Sequence, residues 1–174
     1  MELDKDKPYD FAVVVYEGKD TADRAVDTLK ELEKEGKLKI HDAAVITRTD
    51  KGKIKLDNKG FIGGGKGGAI GLVIGAVLGG PIVGAVVGWA VGFFRSNDRR
   101  EIRDVLTDKL GLTESALATV VEDADWDAIL PATEHLGGEA VHYQLQGESL
   151  AKLEQMAAED PDIEAAAAEE MEIT

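Results

Sequence analysis

Residues that could hold a phosphate group lie directly before the longest uncharged stretch of the chain. The segment from residue 60 to residue 66 reads GFIGGGK, close to the loop in which glycine amides and a lysine hold nucleotide phosphates. The next residue is Gly67, where that loop has the Ser or Thr that binds magnesium. Gly63, Gly65 and Gly68 also satisfy GxGxxG, a pattern that carries little weight in so glycine-dense a segment. We therefore expect no bound nucleotide and no cofactor.

Acidic and imidazole side chains offer little more chemistry. Asp123, Asp125 and Asp127 alternate like the start of a calcium-binding loop, but the Gly and the closing Glu of such a loop do not follow. Carboxylates in this position favour the N-terminus of a helix. The three histidines show no metal-ligand spacing: His41, His135 and His142. With no GxSxG motif and no acid–base pair in evidence, the sequence predicts neither a metal site nor an enzyme.

Composition narrows the possible partners. The 174-residue chain has a formal net charge of −14, which disfavours nucleic acid and broad attraction to an anionic bilayer. Cysteine is absent, which excludes disulfides and thiolate catalysis. The first ten residues, MELDKDKPYD, have no apolar core. We therefore expect the protein in the cytoplasm or at the cytoplasmic face of a membrane rather than secreted.

The most informative segment is an uncharged run over residues 67–94. Glycine recurs there at every fourth position, which places each series on one face of a helix. Each glycine costs a helix about 0.5–1 kcal/mol relative to alanine, so the pattern is typical of helices whose backbones pack closely rather than of a flexible linker. It predicts a glycine zipper for helix packing and oligomerisation through Gly67, Gly71, Gly75, Gly79, Gly80, Gly84, Gly88 and Gly92.

The zipper is expected to form a helical hairpin that turns at Gly79, Gly80 and Pro81. Each arm is then about 20 Å long, too short to cross a bilayer. One continuous kinked helix is the alternative. Basic residues on both sides of the segment favour the hairpin, because they indicate that both ends lie on the same side of a membrane. Four residues could form an interface anchor or contact the chain's own domain: Trp89, Phe93, Phe94 and Arg95.

Strands and helices alternate on both sides of the zipper. Before it we expect a strand at 11–16, a helix capped by Asp20 or Thr21 and ended by Gly36, a strand at 42–49 and an accessory strand at 53–57. After it we expect a helix from the Ser96-Asn97-Asp98 cluster, a strand at 116–121, a short helix with Trp126, Ile129 and Leu130 inward, a strand at 139–146 and a last helix from about residue 148.

This order predicts an α+β fold of the ferredoxin-like kind, in which two β-α-β halves form a four-stranded antiparallel sheet with helices on one face. The zipper hairpin is then an insertion between the halves. The expected units are residues 9–58 for the first half, 60–95 for the hairpin, 96–146 for an amphipathic helix and the second half, and 147–174 for a C-terminal helix and acidic tail.

Several segments together resemble one known family. They are DAAVITRTDKGKIKL, GGGKGGAIGLVIGAVLGGPIVGAVVG and SALATVV with the closing strand. Over about residues 10–146 they are similar to the domain of unknown function 1269 family, small prokaryotic proteins often described as membrane proteins from their hydropathy. The resemblance implies a glycine-rich hairpin inserted in an α/β domain and implies no active-site residues.

These observations favour a non-enzymatic protein that associates with itself, with a lipid bilayer, or with both through the zipper hairpin. Two alternatives stay open. Ferredoxin-like domains also serve as small-molecule-binding regulatory modules, and several hairpins could assemble into a pore, although the segment offers no charged lining.

Overall fold

The computed structural model describes residues 4–59, 96–159 and 171–172. The strands are β1 (Pro8–Glu17), β2 (Lys39–Arg48), β3 (Lys53–Asn58), β4 (Glu114–Glu122), β5 (Glu139–Gln146) and the two-residue β6 (Met171–Glu172). The helices are α1 (Thr21–Lys34), α2 (Ser96–Asp104), which continues as a π-helical turn over Val105–Lys109, α3 (Trp126–Glu134) and α4 (Gly147–Glu159). No helix within these ranges is long and apolar enough to cross a membrane.

All six strands belong to one antiparallel sheet in the order β5-β1-β4-β2-β3-β6. The predicted α+β class is therefore confirmed. Strand β4 comes late in the chain but lies between β1 and β2, where Leu117 is the partner of both Val14 and Val45. The parts of the chain before and after residues 60–95 thus share one sheet and one core.

Both faces of the sheet carry buried side chains. On the face that we call the helical face, α1 and α3 contribute Leu29 and Ile129 to a cluster with Tyr16, Leu117 and other strand residues. Side chains on a strand alternate between faces, so Phe11, Val13 and Tyr143 point to the opposite face. Glu101 of α2 accepts a hydrogen bond from the Tyr143 hydroxyl there, at 2.6 Å.

The expectation that helices cover only one face is therefore wrong. Helix α2 packs on the opposite face, where its Ile102 and Leu106 are fully buried. The physical reason is the composition of the strands. Phe11, Val13 and Ile46 on that face are apolar, and an open apolar face has to be covered by another element.

The predicted strands are all present. Strand β5 has the predicted bounds, the others extend by one to three residues at one or both ends, and β2 also ends one residue early, at Arg48. The helical spacing of five apolar residues predicts one stripe on α1: Ala22, Ala25, Val26, Leu29 and Leu32. All five are buried, and Gly36 follows the helix with φ +71°.

Leu150, Leu153 and Ala157 have helical spacing, which predicts one apolar side of α4, and Leu150 is buried. The side chains of residues 96–99, Leu153 and Ala157 lie outside the described part of the chain, so the cap of α2 and the rest of this side of α4 stay predictions.

The predicted cap of α1 is confirmed in position but not in its hydrogen bond. Asp20 is the N-cap residue, yet its side chain accepts no capping hydrogen bond, and the Thr21 hydroxyl donates to the Glu17 carbonyl at 2.6 Å. The Ser115 hydroxyl of β4 makes a capping bond instead. It accepts from the Ala22 amide at 3.0 Å and donates to the Gly18 carbonyl at 2.6 Å. Ser115 therefore joins the start of α1 to the central strand.

Helix α3 differs from the prediction at one residue, Leu130. Asp125 caps it, as its carboxylate accepts from the Ala128 amide at 3.3 Å, in keeping with the expected helix-terminal role. Ile129 is buried and Trp126 half-buried, but Leu130 is 62% exposed. Consecutive residues of a helix point about 100° apart, and on this short helix the sheet side holds Ile129 and leaves Leu130 facing outward.

Candidate functional site

The zipper glycines, the turn and the aromatic anchor that the sequence predicts all lie outside the described residues. They are Gly67, Gly71, Gly75, Gly79, Gly80, Pro81, Gly84, Gly88, Trp89, Gly92, Phe93, Phe94 and Arg95. The elements that lead into and out of this segment are described, and they constrain how it is attached.

Strand β3 runs toward one particular end of the sheet. Its Ile54 pairs with Arg48 and its Asn58 with Ala44, and the amide of Lys59 donates to the Ala43 carbonyl at 3.0 Å. The chain therefore leaves β3 heading toward the start of β2. We call this the His41 end of the sheet; β1 and β2 start there and β4 and β5 finish there.

Helix α2 runs away from the same end. Glu101 contacts Tyr143 in the middle of β5, whereas Lys109, the last residue of the π-helical turn, pairs with Glu139 at the start of β5. The first residues of α2 consequently lie nearest the His41 end. The end of β3 and the start of α2, which flank residues 60–95, therefore both lie toward the His41 end of the sheet.

A guanidinium fixes the far end of the α2 segment to the sheet. Arg48 of β2 donates to the carbonyls of Thr107 at 2.9 Å and of Leu106 at 3.5 Å. These carbonyls belong to the π-helical turn, where the regular i to i+4 pattern is interrupted. A cation suits the C-terminal end of a helix. Arg48 therefore holds α2 against β2 at the end of the sheet remote from His41.

At the His41 end a buried carboxylate is surrounded by cations. Glu122, 4% exposed, accepts from His41 Nε2 at 2.6 Å, Lys7 Nζ at 2.7 Å and Lys39 Nζ at 3.1 Å. The His41 ring is 2% exposed and meets Tyr9 edge to face, with centroids 4.7 Å apart. We call these five side chains the Glu122 cluster.

A β-bulge makes this cluster possible. The register of β2 against β4 shifts between Ile40 and Asp42, so His41 is the extra residue. A bulge bends its strand and redirects a side chain. Here the imidazole points to the opposite face, onto Glu122, while Ile40 keeps its place in the core of the helical face.

The cations determine the ionisation of Glu122. Burial alone would raise its pKa, but hydrogen bonds from Lys7, His41 and Lys39 outweigh burial and lower the pKa to about 2. The Lys7 pKa is raised, chiefly by its hydrogen bond to Glu122. The carboxylate is therefore charged at every physiological pH. The other nitrogen of the His41 ring, Nδ1, is buried and has no hydrogen-bond partner among the described residues.

Sequence reasoning missed the His41–Glu122 pair. The two residues are 81 positions apart, and the only local signal is an odd residue in an otherwise regular strand. A histidine with a carboxylate is half of a general acid–base arrangement, but the His41 ring is screened from solvent and so from any substrate. The hydrogen bond links β2 to β4 at the His41 end of the sheet. His142 is exposed on β5.

Comparison with known proteins finds a matching family. The model of a family described as "Protein of unknown function (DUF1269)" matches residues 64–158. This chain belongs to that family. The match confirms the family inferred from the sequence motifs and corrects its extent, since it starts at the zipper rather than near residue 10 and includes most of α4. No curated protein and no solved structure matches the chain.

As a member of the DUF1269 family, the chain combines two parts within the matched region. One is the uncharged glycine-rich segment, and the other is the α2, β4, α3, β5 and α4 portion of the sheet domain. The match leaves out β1 and β2, which pair with β4 on either side. The family region therefore depends on the first part of the chain for its neighbouring strands.

Proposed function

We propose that this protein is non-enzymatic and self-associating, and that residues 67–94 form a glycine-zipper helical hairpin through which copies pack together. One geometric observation carries the proposal. Strand β3 leads to the His41 end of the sheet and α2 returns from it, so the two ends of the segment open in one direction. A hairpin fits that attachment, whereas a single straight helix would separate its ends by its full length.

The strand order of the sheet is a second observation that supports the proposal. We propose that β1, β2, β4 and β5 are the four strands of a ferredoxin-like domain, since their spatial order β5-β1-β4-β2 is that of the fourth, first, third and second strands. In such a domain the connection between the second and third strands can grow without breaking a pair of the sheet. The 60–95 segment falls in that connection and is free to serve association.

Leucine substitution of zipper glycines tests the proposal. Leu at Gly71, Gly75, Gly84 and Gly88 would fill the groove by which helices approach. The matched control places Leu at Val73, Val77, Val83 and Val87, on the other faces of the same helices. Sedimentation velocity without detergent should show assembly lost in the glycine variant and kept in the valine variant. Unchanged sedimentation of the glycine variant, with its circular dichroism preserved, would reject self-association through the zipper.

Insertion of the hairpin into one leaflet of a bilayer is the second candidate, favoured by Trp89, Phe93, Phe94 and Arg95 at the end of the segment. With a net charge of −14, such insertion has to be hydrophobic rather than electrostatic. Flotation with neutral phosphatidylcholine vesicles should then recover the chain and should lose a variant with Ser at Trp89, Phe93 and Phe94. Equal flotation of both would count against this candidate.

A further inference from the structure

A large cleft lies on the helical face, on the other side of the sheet from the Glu122 cluster. Its volume is about 800 Å³, and it lies between α3 and strands β1, β4 and β5, with α1 along one side. We call it the α3 cleft. The cleft is open to solvent on one side, and its volume is within the range of small-molecule sites, about 300–1,000 Å³.

The cleft exists because small residues meet beneath a short helix. Ala12 and Ala140 form part of its floor. Gly138, at φ +107°, is close to Tyr16 and Val14, so any side chain there would collide with theirs. Above, α3 is nine residues long and contains Pro131, and its Leu130 points outward at the rim. The space is therefore a consequence of the residue types at several separate positions.

Few polar groups line the cleft, and they differ in whether they already make hydrogen bonds. The hydroxyls of Thr119 and Thr133 donate to backbone carbonyls of Asp42 and Ile129. The Tyr16 side chain is 4% exposed, and burial raises its pKa to about 12. Its hydroxyl makes no hydrogen bond to another residue of the described part of the chain. Tyr16 lines the cleft and its hydroxyl oxygen is not fully buried, so it can donate to an acceptor on a bound ligand.

The walls restrict the chemistry of that ligand. Trp126 and His142 meet edge to face at 5.1 Å, which gives the cleft an aromatic side, and His142 is paired with Asp10 at 2.9 Å. Glu134 also lines it, and no Lys or Arg is present among its described lining residues. An anion would meet carboxylates without a compensating cation.

We propose that the α3 cleft binds an uncharged, largely apolar small molecule that carries a carbonyl-type acceptor, and that the Tyr16 hydroxyl donates to this acceptor. The aromatic wall suits a flat ring system. All of the described lining residues belong to the sheet domain, so we expect binding to persist in variants whose zipper glycines are replaced.

Nile red, a neutral dye with a ring carbonyl, is the probe for this site in the full chain. We expect saturable binding with a blue shift of its emission, and weaker binding of the anionic anilinonaphthalene sulfonate. Tyr16→Phe should weaken Nile red binding about fivefold, the effect of one hydrogen bond, without lowering the unfolding temperature of the free protein. Ala140→Phe adds a ring at an exposed position of the floor and should weaken binding at least tenfold.

Leu112→Ala is the matched control, since Leu112 is an exposed large apolar residue outside the cleft and should leave binding unchanged. Binding that is unaffected by Ala140→Phe in a folded variant would overturn the proposal. So would binding that disappears in the zipper-glycine variant but persists in Ala140→Phe, because the dye would then report assembly. The reverse pattern would support the cleft whatever the fate of the self-association proposal.

Discussion

His41 and Glu122 are joined by a 2.6 Å hydrogen bond although both side chains are at least 96% buried. The pair connects the bulge of β2 to the last residue of β4, and Lys7 and Lys39 complete the charge balance. A buried carboxylate is costly unless it is paired and hydrogen-bonded. The cluster therefore makes the His41 end of the sheet sensitive to the ionisation of one residue.

Acid should destabilise the fold through Glu122. Its pKa of about 2 lies below the ordinary 4.5, so the stability it contributes is present above about pH 4.5 and is lost as pH falls from there through about 2. At about 1.4 kcal/mol per pH unit, the full contribution is about 3 kcal/mol. Urea unfolding of Glu122→Gln should show a loss of about 2–3 kcal/mol at pH 7 and a flatter dependence between pH 4.5 and 3.

Glu148→Gln is the control for this experiment. Glu148 is exposed and pairs with Lys152 at 2.9 Å across one helical turn, and such surface pairs contribute little. The same substitution should therefore leave stability at pH 7 nearly unchanged. If Glu122→Gln behaved like Glu148→Gln, the Glu122 cluster would not be a source of native-state stability.

The hydroxyl of Ser115 should be measurable as a helix cap. Ser115→Ala removes one acceptor from the Ala22 amide and one donor to Gly18, and loss of an N-cap costs about 1 kcal/mol. Hydrogen exchange of the Ala22 amide should accelerate more than that of the middle of α1. Thr28→Ala, which removes a hydroxyl bonded within α1 at 3.1 Å, should not do so. Equal exchange at Ala22 in both variants would show that Ser115 does not cap the helix.

What the sequence predicts well is set by local patterns. The apolar run FAVVVY and the alternation of EAVHYQLQ suffice for β1 and β5, because a strand is recognised by its own period. The Ser115 cap and the His41–Glu122 pair join residues 93 and 81 positions apart. Such contacts depend on which strands become neighbours, and no local period records that.

Two further features could not be predicted from the sequence, because each depends on how separate segments pack together. The helical spacing of Ile102 and Leu106 predicts a buried helix, but it does not indicate which face of the sheet α2 covers. The α3 cleft depends on Ala12, Gly138 and Ala140 being small at the same place, and each is unremarkable in its own segment. The zipper series is visible at once, since its period of four needs no partner strand to be recognised.

A side chain at Gly147 should loosen the N-terminal segment. Gly147 starts α4, its amide donates to the Lys7 carbonyl at 2.9 Å, and a Cβ built on it collides with the carbonyl oxygen of Asp4. Gly147→Ala has to displace this backbone and should cost about 1–3 kcal/mol. In Gly111→Ala only the movable side chain of Glu114 lies in the way, so unfolding in urea should be much less affected. Similar losses in both variants would contradict this account.

Arg48 should hold α2 in place. Arg48→Met keeps the apolar stem and removes the donors to the Leu106 and Thr107 carbonyls; because Arg48 Nε has no partner within the described residues, the substitution isolates these two bonds. We expect a loss of about 1–2 kcal/mol. Hydrogen exchange measured on peptides should rise over residues 102–110 before it rises in α1. Arg24→Met, at an exposed position of α1, is the control, and a rise of equal size in both helices after Arg48→Met would mean that Arg48 supports the whole fold rather than the attachment of α2.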